Sequence, residues 1–167
     1  TAVGKDALAA NQTGTGNNSF GYQSLDANVG GSYNTAMGHV ALSTNISGTD
    51  NTGMGGQVLY NNVASHNTAV GSTAGYAITS GTHNVAVGSN ALLVNTTGAS
   101  NVALGSLALY TNTTGTQNTA TGLGAMYLNT TGSSNTATGY TALRNNTTAS
   151  NNSAFGYRAM RETTTGA

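Results

Sequence analysis

Residues 101–117 read NVALGSLALYTNTTGTQ, and this 17-residue pattern is repeated along almost the whole chain. Its fifth position is a glycine that recurs every 17 residues, with a single step of 16 residues between Gly55 and Gly71. A short, strict period is typical of solenoids and other stacked arrays rather than of globular domains. We therefore predict one array of about ten coils over residues 1–167, a segment of a longer protein without capping coils.

Two columns of identical residues set the register of this array. After Gly4, the glycine column contains Gly21, Gly38, Gly55, Gly71, Gly88, Gly105, Gly122, Gly139 and Gly156. Four residues earlier in each coil, the asparagine column contains Asn17, Asn34, Asn51, Asn67, Asn84, Asn101, Asn118, Asn135 and Asn152. We predict that the glycines take either a positive φ or a tightly packed corner, both of which glycine meets at little cost. We predict that the asparagines form an amide ladder along the stack, and that a second asparagine column, seven residues after the glycine in most coils, forms a second ladder.

The composition excludes several classes of function. Charged residues make up 5% of the chain, and none lies between Asn51 and Leu143. Such a chain has no cationic surface for phosphates, so we expect no nucleic-acid partner. It also lacks an apolar run of about 18 residues, so we expect no membrane insertion. The absence of proline fits a fold in which nearly every backbone N–H joins a ladder.

A coil of 17 residues is too short for a strand plus a long helix, and we predict two short strands joined by two turns. The Asn-Thr-Thr-Gly runs supply turn residues, because asparagine tolerates the left-handed region and glycine closes the bend. Successive coils are expected to stack at the strand spacing of about 4.8 Å, which gives a rod about 45 Å long.

Adjacent apolar columns raise the question of a partner. The residue before the glycine is mostly Val, Met, Leu or Phe, and the fourth residue after it is mostly Leu, each beside a column of small residues. Neighbouring residues of a strand face opposite sides, so both faces would be buried. We expect alanine to fill the narrow interior and the larger residues to pack against another copy of the chain. The alternative is a bulge or corner that turns both columns inward.

The repeat resembles that of phage and bacterial tail-fibre-domain proteins. The stretches NTAMGHVAL (residues 34–42), NVAVGSNALLVNTTG (84–98) and NTATGYTALRNNTT (135–148) carry the resemblance. Residues 85–88 are more distantly similar to the head repeats of trimeric autotransporter adhesins, which are parallel β-rolls that trimerise around an apolar seam. The resemblance implies an extracellular fibre, on a virion or a cell surface, built from homotrimers.

Catalysis finds little support, since no pair of carboxylates, no cysteine nucleophile and no distinct Ser/His/Asp set stands out from the repeats. We expect no enzyme activity and no cofactor. The best metal candidate is one column in consecutive coils, formed by Asp50, His66 and His83. Its alternative is a solvated turn edge, because Ser100 and Gln117 continue the same column.

Three further columns suggest ligands or modifications. Tyr60, Tyr76, Tyr110 and Tyr127 would form a stripe for sugar stacking, or else would pack over the corner of the coil or at a subunit seam. Paired threonines such as Thr96 and Thr97 suggest ice binding, although they lie in turns. Candidate glycan-bearing turns, with Asn-x-Thr sequons, are those of Asn95, Asn112, Asn129 and Asn146.

From these observations we predict an all-β parallel solenoid, or β-roll, with one 17-residue coil per repeat and a homotrimeric assembly. The expected function is a passive shaft segment of an extracellular fibre, either a phage tail fibre or a bacterial surface adhesin. Cell-surface glycan would then be bound through other parts of the parent protein. The alternatives are a self-assembling extracellular filament that stacks end to end, and an ice- or glycan-binding solenoid.

Overall fold

The computed structural model of this chain describes residues 1–164, which fold as an all-β parallel solenoid without a helix in that range. One strand is contributed by each coil, and the ten strands pair in sequence order. They are β1 Ala2–Val3, β2 Asn18–Phe20, β3 Thr35–Met37, β4 Thr52–Met54, β5 Thr68–Val70, β6 Val85–Val87, β7 Val102–Leu104, β8 Thr119–Thr121, β9 Thr136–Thr138 and β10 Ser153–Phe155. All pairs are parallel and in register, so that Ala86 lies beside Ala103.

The prediction of two strands per coil is wrong, and the reason lies in the backbone after each core glycine. The second and fourth residues after the glycine take positive φ in every coil, as Leu107 (φ 61°) and Leu109 (φ 51°) do. Extended strands require negative φ, so this edge cannot be a strand. It still forms a ladder between coils, because Leu109 N–H donates to Ala125 O at 3.0 Å and Leu107 N–H donates to Ser89 O at 3.1 Å.

The same conformation decides which apolar columns are internal. The left-handed residue turns the leucine column inward, next to alanine, so that Leu92, Leu109 and Leu143 are fully buried. For this column the expectation of a second chain is wrong, and the corner alternative holds. The residues that precede the core glycine point outward instead, as the burial of only the middle residue of each three-residue strand shows.

The glycine corner agrees with the prediction. Gly105 has φ 138°, and a Cβ built there would lie 2.7 Å from the carbonyl carbon and oxygen of Gly122 in the next coil. Its N–H donates to Val87 O at 2.7 Å. A side chain at this position would therefore both strain the backbone and separate two stacked coils.

Two asparagine ladders close the coils, as predicted. The Oδ1 of Asn84 accepts from Asn101 N–H at 3.0 Å and from Asn101 Nδ2 at 3.2 Å. Asn101 Nδ2 also donates to Gly115 O at 2.9 Å, and Asn112 Nδ2 donates to the same oxygen at 3.0 Å. Each coil is thus tied at its start and its end to one carbonyl. Buried carboxamides that are hydrogen-bonded in this way stabilise the stack instead of penalising it.

One coil departs from the pattern in two compensating ways. Gly75 replaces the buried leucine, and the fully buried Ile78 replaces the asparagine of the second ladder. A Cβ at Gly75 would lie 3.1 Å from Ile78 Cδ1 and 2.8 Å from Leu59 Cδ2, so these two side chains fill the space that a leucine would occupy. The exchange interrupts the second ladder between Asn62 and Asn95 while the core stays apolar. The ladder is also broken one step earlier, because Asn62 Nδ2 donates to Ala64 O and leaves Asn45 Oδ1 without a partner among residues 1–164.

Candidate functional site

The most extended candidate surface is the outer strand face, formed by the first and third residues of strands β2–β10. The last residue of the strand is apolar in seven consecutive coils, β1 to β7, and these residues form what we call the apolar ridge: Val3, Phe20, Met37, Met54, Val70, Val87 and Leu104. Val87 and Leu104 are each 38% exposed, although the alanines between the outward residues are buried. Thr121 and Thr138 interrupt this apolar ridge before Phe155. A contiguous exposed apolar patch of this kind marks an interaction surface.

The candidate metal column is stacked but does not form a ligand set. His66 and His83 lie ring on ring with centroids 4.8 Å apart, and His66 Nδ1 is 3.8 Å from Asp50 Oδ2. Stacked rings present their nitrogens side by side along the rod rather than toward a common point. Within residues 1–164, no three histidine, cysteine, aspartate or glutamate side chains form a group that could hold a metal ion. The solvated-edge interpretation describes this column better.

The tyrosine column forms what we call the tyrosine ladder: Tyr60, Tyr76, Tyr110 and Tyr127. Tyr60 stacks on Tyr76 with centroids 5.2 Å apart, and Tyr110 stacks on Tyr127 at 4.9 Å. The guanidinium of Arg144 lies 5.0 Å from the centroid of Tyr127. Most aromatic faces are therefore covered by a neighbour, so the ladder does not offer the continuous stripe for sugar rings that the sequence suggested. Leu93 takes the place of tyrosine between Tyr76 and Tyr110.

In the Asn-Thr-Thr-Gly turns, the hydroxyl of the first threonine donates a hydrogen bond to the next coil. Thr96 Oγ1 donates to Thr113 O at 3.2 Å, and Thr113 Oγ1 donates to Thr130 O at 3.0 Å in the next step. These hydroxyl protons are committed to the neighbouring coil. The second threonines, including Thr97, are exposed on the turn. Only the second threonine of each pair therefore has a hydroxyl that is free to bind water, which makes the turn edge a weaker candidate for ice binding.

The sequon asparagines are the members of the second ladder. Asn95, Asn112, Asn129 and Asn146 are fully buried. Their Nδ2 atoms donate to turn carbonyls, as Asn129 Nδ2 does to Gly132 O at 2.9 Å. N-linked glycans attach to this nitrogen, so a modified asparagine would have to leave the ladder. The folded coil does not present these turns for glycosylation.

Charged side chains are few, and most of them are exposed, although Asp26 is half-buried with its Oδ1 shielded from solvent. In the part of the chain that the structure describes, the ion pairs are His66 with Asp50 and Arg161 with Glu162, and all four side chains are more than a third exposed. Among residues 1–164, no helix is long and apolar enough to cross a membrane.

Comparison with known proteins adds no relative. No protein-family model, no curated protein and no solved structure matches this chain. The geometry of the solenoid and its outer strand face therefore carry the functional argument.

Proposed function

We propose that this solenoid is a structural shaft segment of an extracellular fibre, in which parallel copies pack through the outer strand face as a homotrimer. The observation that carries the proposal is the apolar ridge, which runs along the rod while the leucine and alanine columns are already buried inside one chain. The amino-acid sequence of the repeat resembles that of phage tail-fibre-domain proteins and, more distantly, that of bacterial surface adhesins.

The dimensions of the outer strand face suit an extended contact between copies. Ten coils at about 4.8 Å give a length of about 45 Å, and a three-residue strand with its flanks is about 15 Å wide. The product is about 700 Å² per chain, which a trimer divides between two neighbours, so ten coils supply less than the roughly 800 Å² per partner of a standard two-chain interface. Further coils would enlarge the contact in proportion, as a fibre requires.

The interior of the coils suits a passive mechanical role. The strand ladder and the first asparagine ladder run through every coil, and the second ladder adds bonds wherever its asparagine is present, so stability is expected to be a sum of coil and neighbour contributions. Few charged groups are present to make that stability depend on salt. These properties fit a stiff, protease-resistant rod.

Molar mass in solution tests this proposal. Light scattering behind a sizing column is expected to give three times the chain mass of 16.5 kDa, about 50 kDa, with an elongated profile. The double variant Val70→Glu/Val87→Glu places charges on the ridge and is expected to be monomeric, because unpaired buried charge is costly. The control Thr97→Glu/Thr114→Glu adds the same charges on exposed turn positions and is expected to remain trimeric. A monomeric parent chain at all concentrations would contradict the proposal.

One observation favours ice binding as a second candidate function. Thr119 and Thr121 in one coil, and Thr136 and Thr138 in the next, lie outward on the flat strand face. This array is a better candidate than the turn threonines, because it lies on the sheet itself. Inhibition of ice recrystallisation that is lost in Thr121→Lys/Thr138→Lys would support it. Growth of ice crystals unaffected by the parent chain would exclude it.

A further inference from the structure

A groove of about 400 Å³ interrupts the side of the rod between coils 55–70 and 88–104. Its lining comes from three neighbouring coils and consists of Gln57, Thr73, Tyr76, Ala77, Asn90, Leu93 and Val94. These residues stand two, five or six positions after a core glycine, and none belongs to the outer strand face. The groove therefore lies outside the residues of the outer strand face.

One interruption of the tyrosine ladder and one small side chain beside it shape the groove. Leu93 interrupts the tyrosine ladder, so the face of Tyr76 that does not stack on Tyr60 lacks an aromatic neighbour. Ala77 provides a small floor where the next coil has Val94. Tyr76, Leu93 and Val94 are all half-buried, which gives an aromatic wall and an apolar base.

The rim of the groove is polar and uncharged. Thr73 Oγ1 lies 2.8 Å from Asn90 Oδ1, and Asn90 Nδ2 donates to Ser89 Oγ at 3.0 Å. One N–H of the Asn90 carboxamide thus has no partner among residues 1–164. The exposed Gln57 side chain makes no hydrogen bond within the same range, so its carboxamide offers both donors and an acceptor.

We propose that this groove binds one ring of a neutral saccharide. A sugar ring has an apolar face that packs on Tyr76 and hydroxyls that exchange hydrogen bonds with Gln57 and Asn90. The volume lies within the range of about 300–1,000 Å³ found for small-molecule sites, which likewise combine apolar walls with a few polar groups. Every lining residue is uncharged, and no charged residue lies between Asn51 and Leu143 in sequence, so a charged ligand would lack a counter-charge.

The test is an NMR titration of the ¹⁵N-labelled protein with maltotriose, cellotriose and chitotriose as neutral probes and sialyllactose as the charged one. At least one neutral trisaccharide is expected to shift the amide signals of Tyr76, Ala77 and Val94, with a dissociation constant in the millimolar range or below. Binding of sialyllactose alone, or shifts confined to other coils, would overturn the proposal. So would the absence of any shift at 20 mM.

A filling variant separates the groove from the rest of the surface. Leu93→Tyr restores the residue found in four other coils of this column, so it is expected to fold with an unchanged circular dichroism spectrum while binding at least tenfold more weakly. Arg144→Tyr extends the same column away from the groove and is expected to bind like the parent. A second variant, Asn90→Leu, takes the residue of Leu107 in the next coil and is expected to weaken binding several-fold. Undiminished binding by both Leu93→Tyr and Asn90→Leu would refute the assignment. None of these variants touches the outer strand face, so the molar mass reports on the fibre proposal independently.

Discussion

Replacing Gly75 with leucine and Ile78 with asparagine restores both residues in the coil that lacks the buried leucine and the ladder asparagine, and the two changes are expected to be strongly coupled. Gly75→Leu alone must displace Leu59 or Ile78, because even its Cβ would lie 2.8 Å and 3.1 Å from their methyl groups. Overpacking of this kind costs about 1–3 kcal/mol. Ile78→Asn alone removes a fully buried side chain beside a glycine, which costs about 2–5 kcal/mol.

In the double variant the new leucine occupies the space that Ile78 vacates. It then stands in the same buried column as Leu59 and Leu92 of the flanking coils. The new asparagine stands between Asn62 and Asn95 in the second ladder. We expect its free energy of unfolding to lie within about 1 kcal/mol of the parent, which gives a coupling of at least about 2 kcal/mol.

Chemical unfolding of the four proteins, followed by circular dichroism, measures this coupling. A control cycle pairs Gly75→Leu with Met126→Leu, three coils away, and is expected to be additive within about 0.5 kcal/mol. If the Gly75/Ile78 pair is also additive within that margin, the two departures do not compensate each other and the packing argument for this coil is wrong.

Three further predictions concern the glycine corner, the asparagine ladder and the salt dependence of stability. Gly105→Val is expected to lower the free energy of unfolding by more than about 3 kcal/mol, because this position combines a φ of 138° with a contact to the next coil. The control Gly56→Ala has no atom within 4 Å of its added Cβ and is expected to change that free energy by less than about 0.5 kcal/mol in the same unfolding assay. Asn101→Ala should lower the melting temperature more than Asn152→Ala, because only Asn101 has a ladder neighbour on both sides; equal losses would argue against the ladder. Raising NaCl from 0.05 to 0.5 M should shift the melting temperature by less than about 2 °C, since exposed ion pairs contribute little, and a larger drop would reveal electrostatic stabilisation.

The parts of the fold that depend on residue identity alone were predictable from the sequence. Glycine at a corner and asparagine in a ladder each have a specific backbone or hydrogen-bonding role, so the period and the two columns lead directly to the stack. The positive φ of residues such as Leu107 and Leu109 was not predictable, because leucine carries no local preference for that region. Stacking imposes it, and it replaces the second strand.

The candidate surfaces followed the sequence less closely for the same reason. Which of two adjacent apolar columns points inward depends on the backbone of each edge, so the leucine column was assigned to an interface although it is internal. The sequons could be identified from the sequence, but the burial of their asparagines could not, because it depends on the second ladder. The groove did have a sequence signal, namely Leu93 at a position where four other coils have tyrosine.

Parallel copies are proposed to meet in register along the apolar ridge, and disulfide cross-linking tests this contact most directly because the chain has no cysteine of its own. In a trimer with this seam, Val87→Cys brings identical positions of two chains within reach of a disulfide, whose Cβ atoms lie about 3.8 Å apart. After mild oxidation we expect a covalent dimer band for Val87→Cys and none for Thr97→Cys on the turn. Cross-linking of Thr97→Cys without Val87→Cys, or of neither variant in a sample that light scattering shows to be trimeric, would contradict the proposed seam.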